Sequence, residues 1–77
     1  MNISVVIIAF KSEHILQDLI SSIPGHHEII VIENSLQTKT KIDLENKFSN
    51  THVVIPEKNL GYSGGVNLGV EKSKHKL

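Results

Sequence analysis

The chain has 77 residues, in which eight lysines balance eight acids and neither arginine nor cysteine occurs. A net charge of zero gives no electrostatic basis for binding nucleic acid or for a polybasic membrane patch, and the missing thiols exclude disulfides and thiolate metal sites. This length makes one small domain or part of a larger one, since a core of such size covers only about 60% of the chain's surface on folding.

Ile3 to Ala9 opens the chain with Val5-Val6-Ile7-Ile8 unbroken by a polar residue, which suits a first strand covered on both faces in a parallel sheet. The same residues lack the basic leader and small-residue cleavage site of a signal peptide. No apolar run approaches the roughly 18 residues that a membrane-spanning helix needs. After Phe10-Lys11, Ser12 is placed to cap a helix whose Ile15, Leu16, Leu19, Ile20 and Ile23 share one face, and Pro24-Gly25 ends it.

Glu28 to Glu33 carries Ile29-Ile30-Val31-Ile32 and reads as a second strand, with Asn34-Ser35 at its carboxyl end. Lys39 to Phe48 is polar and only loosely periodic, which predicts a helix covering less core. His52 to Ile55 is a third strand that Pro56 ends. A glycine-rich bend follows and leads into a helix from Ser63 to Lys74, with lysines near its negative end. Alternation of this kind predicts a three-layer βαβαβα unit with a parallel sheet and ligands beyond the carboxyl ends of its strands.

Asn59-Leu60-Gly61-Tyr62-Ser63-Gly64-Gly65-Val66-Asn67-Leu68-Gly69 is the densest motif-like stretch. It fails the phosphate-loop pattern, having no Lys-Ser or Lys-Thr after its glycines, and it fails the dinucleotide fingerprint on spacing. It reads either as a backbone approach to a diphosphate or as a tight turn with close helix packing. Phe10 and Glu33 fall at the carboxyl rim, where a ring can stack on a base and a carboxylate can accept a base N–H. The plainer alternative is a core phenylalanine and a solvated acid. His26 and His27 adjoin on a turn, His14, His52 and His75 stand alone, and no Asp-x-Asp pair is present, so no metal site is expected.

Taken together, Val5 to Phe10, Glu28 to Ser35 and Asn59 to Gly69 resemble the start of a family 2 glycosyltransferase, particularly rhamnosyltransferase-like members, and the likeness spans nearly the whole chain. The resemblance implies the front half of a nucleotide-diphospho-sugar transferase fold (GT-A, Rossmann-like), with residues 1–77 a single partial domain and the donor base over the first two strands. Phe10 matches an aromatic beside the base, Glu33 an aspartate that hydrogen-bonds it, and Asn59, Gly61 and Asn67 the loop and helix start that close over the nucleotide. Lys11 stands where asparagine is common.

The resemblance also implies what lies elsewhere. The family's Asp-x-Asp, which binds a divalent cation (magnesium or manganese) and the donor, follows the next strand, and the catalytic base comes later still. The 77 residues alone are therefore expected to be inactive. The expected setting is cell-wall or polysaccharide biosynthesis in the cytoplasm or at the cytoplasmic face of a membrane. In that fold the fourth strand pairs with the first, so Ile3 to Ala9 is expected to form an open edge through which copies of this chain associate. The alternative is a non-catalytic nucleotide-binding or interaction module that keeps only the half-sheet. A receiver-like domain would need acids where Phe10 and Pro56 stand.

Overall fold

Strand and helix alternate throughout: β1 (Ser4–Ala9), α1 (Glu13–Ser21), β2 (Glu28–Glu33), α2 (Thr38–Lys47), β3 (Thr51–Val54) and α3 (Gly61–Lys72). The structure is a computed structural model that describes residues 2–74. The three strands form one parallel sheet in the order β1-β2-β3, with Val6 opposite Ile30 and Val31 opposite Val53. The expected parallel α/β unit is what the chain forms. His75 lies outside the described residues.

The apolar strands are divided by parity. Ala9, Ile29, Val31 and Val53 meet Leu16 and Ile20 of α1 and Leu44 of α2, with Val5, Ile7, Ile23 and Phe48 packed around them. The opposite face of β1 meets α3, whose Gly65 and Gly69 sit against Ile8 and Val6. Two helices thus cover one face and one helix the other. β2, with a strand on each side and helices on both faces, is buried along its whole length, whereas the middle of β1 is only half-buried.

Three expectations need correction. The apolar stripe of α1 is only partly used: Leu16 and Ile20 are buried, but Ile15 is 70% exposed and Leu19 43% exposed. Ser12 occupies the N-cap position without capping, because its hydroxyl donates instead to the Phe10 carbonyl at 2.7 Å. The glycine-rich stretch forms the tight turn with close helix packing, but its helix starts at Gly61, two residues before the expected Ser63. Only Gly61 has a positive φ, +67°, while Gly64, Gly65 and Gly69 lie within α3. A Cβ on Gly65 would stand 2.9 Å from Ile8 Cδ1, and one on Gly69 would stand 2.3 Å from Val6 Cγ1. These two glycines allow the helix to approach the sheet.

The outer edge of β3 is closed by side chains. Glu45 Oε2 accepts the Val53 N–H at 2.8 Å, and Lys41 Nζ donates to the Val53 carbonyl at 2.8 Å while pairing with the same Glu45. Together they take the place of a fourth strand beside β3. No strand lies along the outer edge of β1 among the described residues.

Candidate functional site

Every strand of a parallel α/β unit ends, and every helix starts, on the same rim. Here the rim is stitched by hydrogen bonds among three segments that are distant in sequence. The Asn34 N–H donates to the Ala9 carbonyl at 2.8 Å, joining the ends of β1 and β2. The Asn34 side chain donates to the Gly61 carbonyl at 3.1 Å and accepts the Leu60 N–H at 3.2 Å, so β2 also holds the start of α3. The Lys11 N–H donates to Ser35 Oγ at 3.3 Å.

Two non-glycine residues have left-handed backbone, Lys11 at φ 52° and Leu36 at φ 62°, and both are on this rim. Such a conformation costs on the order of 1 kcal/mol or more per residue and collects at functional sites. No N-cap residue bonds the first turn of its own helix through its side chain, although Asn59 Oδ1 accepts the Gly61 N–H at the start of α3. The rim therefore combines stored backbone strain with a positive dipole potential.

Phe10 and Glu33 depart from the plainer alternative in opposite ways. Phe10 is 52% exposed, a ring standing over the rim and not a core side chain. Glu33 is 1% exposed, a buried acid and not a solvated one. Its carboxylate accepts the Ser35 hydroxyl at 2.6 and 2.7 Å and the Gln37 N–H at 2.7 Å. These bonds fold the β2–α2 loop around the acid and require Leu36 to take its left-handed turn. In this geometry the acid itself is withdrawn, and the loop that it shapes is what stands at the rim.

Asn59 and Gly61 are brought to the rim. Asn59 Oδ1 accepts the Gly61 N–H at 2.7 Å, closing a turn that the positive φ of Gly61 completes. Asn67 is not brought there. It is exposed, and with Gly65 and Gly69 facing the sheet its helical phase puts it on the outer side of α3, two turns from the rim.

Asn34 is the site residue that sequence reasoning missed. It is 4% exposed and serves three bonds, yet in the sequence it reads only as a turn residue after a strand. The left-handed backbone of Lys11 and Leu36 carries no sequence signal, since neither residue type favours it.

No group of three or more histidines, acids or cysteines that could hold a metal occurs among the described residues. The Glu33 carboxylate on this rim is already bonded within its own loop. Two concavities lie away from β1. One of about 230 Å³, lined by His26, His27, Glu28 and His52, is at the amino ends of the strands, and one of about 470 Å³, lined by Val54, Pro56, Leu60 and Leu68, lies beside α3 near β3. Neither includes Phe10, Lys11 or Ser35. No helix among the described residues is long and apolar enough to cross a membrane.

A parallel α/β sheet whose helices change faces after β3, with left-handed backbone at the ends of β1 and β2, defines an α/β unit of the doubly wound class. Residues 4–77 match the model of glycosyl transferase family 2, and the chain belongs to that family. It is also 32% identical over 76 residues to the low-salt glycan biosynthesis hexosyltransferase Agl10 of Haloferax volcanii, an alignment that covers 99% of this chain and 24% of that protein. The chain thus spans about a quarter of the length of this curated relative.

Proposed function

We propose that the chain supplies the nucleotide-binding rim of a glycosyltransferase that uses a nucleotide-diphospho-sugar donor. Membership of the family supports the transferase reading. The observation that carries the binding role is Asn34, which fastens the ends of β1 and β2 to the start of α3 and so builds one continuous rim. On it, Phe10 offers its exposed ring to the base and the Glu33-shaped loop faces the edge of that base. Asn59 and Gly61 shape the turn beside the diphosphate, with Asn67 outside this set.

In the reaction of the intact domain, the bond from the anomeric carbon to the diphosphate breaks as the acceptor hydroxyl forms its own bond to that carbon and gives up its proton. We propose that the group taking that proton is not among these residues, so that the 77 residues alone bind without turnover. Binding is independent of a divalent cation, because the described residues supply no ligand set for one. The setting we propose is the cytoplasm or the cytoplasmic face of a membrane.

Titration of the chain with uridine and thymidine diphosphates, followed by amide chemical shifts with and without manganese, tests the reading. Shifts confined to residues 10–12, 34–37 and 59–61, unchanged by manganese, are expected. Saturable shifts at the amino ends of the strands, or no shifts, would overturn it.

A further inference from the structure

Lys11 is the rim residue with the most unusual placement and no role assigned so far. Its backbone is held at φ 52° by the bond from its N–H to Ser35 Oγ, which turns the side chain back over its neighbour. There Nζ stands 5.3 Å from the centroid of the Phe10 ring. Among the described residues, Lys39 and Lys41 pair with Asp43 and Glu45, whereas Lys11 forms no ion pair. Of the acids on this rim, Glu33 has its carboxylate buried and already bonded to Ser35 and Gln37, and Glu13 at the start of α1 accepts the Thr40 hydroxyl. An exposed ammonium is thus parked on the ring that the proposed base would use.

We infer that Lys11 determines specificity for the charged part of the donor: its ammonium rests on Phe10 in the free chain and moves to the diphosphate when a base takes the ring. This rests on the nucleotide reading given above. A cation over an exposed ring is weakly held, whereas an ammonium on a phosphate oxygen makes a charge-assisted hydrogen bond of about twice the usual strength. The exchange therefore runs toward the phosphate. It gives the rim a means of preferring nucleoside diphosphates to nucleosides without any metal ligand in these residues. Phe10 and Lys11 then act as a pair, the ring selecting for a base and the ammonium for its charge.

The test compares uridine and thymidine with their diphosphates, titrated against the wild-type chain, Lys11→Met, Lys11→Arg and Phe10→Ala. The wild type is expected to prefer the diphosphates about tenfold, the scale of one charged hydrogen bond, with the preference shrinking as salt rises. Lys11→Met should lose that preference while keeping nucleoside affinity, Lys11→Arg should retain it, and Phe10→Ala should weaken all four ligands. Lys11→Gly, which suits the left-handed backbone, serves as a second ammonium-free variant should the methionine one fold poorly. An undiminished preference in both ammonium-free variants overturns the role of Lys11 and leaves the nucleotide site standing. Absence of binding by the wild type overturns the nucleotide site and Lys11 with it.

Discussion

Asn34 at the end of β2 donates its side-chain amide to the carbonyl of Gly61, the first residue of α3, and its oxygen accepts the N–H of Leu60 one position earlier. One buried side chain thus sets where the last helix begins relative to the first two strands. Replacing Asn34 with alanine removes both bonds and leaves the two backbone groups to find water. Asn34→Ala is expected to destabilise the chain by about 1–3 kcal/mol, read by thermal or urea unfolding. Amide exchange should accelerate at Leu60 more than at Val31 in the core. Uniform acceleration across the sheet would show that Asn34 supports the whole fold and does not specifically hold the rim.

The contact of Gly69 with Val6 gives a prediction in which two effects oppose each other. Alanine is favoured over glycine inside a helix by about 1 kcal/mol. Its Cβ, however, would lie 2.3 Å from Val6 Cγ1 and 3.1 Å from Cγ2, atoms of a stiff β-branched side chain that cannot swing away. Overpacking of this kind costs about 1–3 kcal/mol, so Gly69→Ala should be net destabilising. Adding Val6→Ala should recover part of the loss, giving a coupling energy in a double-mutant cycle. Additive losses would mean that the helix simply slides off the strand.

Gly69 also shows how far the sequence could be read. The strands were legible because Val5-Val6-Ile7-Ile8 and Ile29-Ile30-Val31-Ile32 are apolar on both faces, and parallel order followed from the alternation with helices. The glycines were not, because a glycine at a bend and a glycine at a close helix–sheet contact leave the same letter in the chain. Only the register of α3 on β1 separates Gly61, with its positive φ, from Gly65 and Gly69. At the site, Phe10 and Glu33 were visible as types at a rim. That Glu33 would turn inward depended on Ser35 and Gln37 folding back on it.

Acid should weaken the fold in two stages. The His27 pKa lies below its ordinary 6.5, owing first to burial and then to the neighbouring His26, and its Nδ1 accepts the Ile3 N–H, which only the neutral ring can do. A lowered folded-state value means stability falls as pH drops from about 6.5 through that value. Burial alone would raise Glu45, but the Lys41 ammonium and the Val53 N–H outweigh it and hold the carboxyl below its ordinary 4.5. Its contribution is present above 4.5 and is lost below it. Urea unfolding across this range should show both declines, the upper removed by His27→Phe and the lower made shallower by Glu45→Gln. An upper decline that survives His27→Phe would assign it to another group.

The two edges of the sheet differ in a way that predicts association. Along β3, the Val53 N–H and carbonyl are occupied by Glu45 and Lys41, so a foreign strand finds no free pair there. Along β1, the stretch from Val5 to Ile8 is half-buried and apolar, with β2 as its one strand neighbour among the described residues. An open apolar edge is a template for strand addition, and we propose that copies of this chain pair through β1. Size exclusion with light scattering should show species heavier than 8.5 kDa that dissociate on dilution. Lys41→Ala with Glu45→Ala opens the second edge, and growth beyond dimers toward open-ended assemblies is then expected, since each copy would present two edges. A single monomeric species at high concentration in the unaltered chain would sink the proposal.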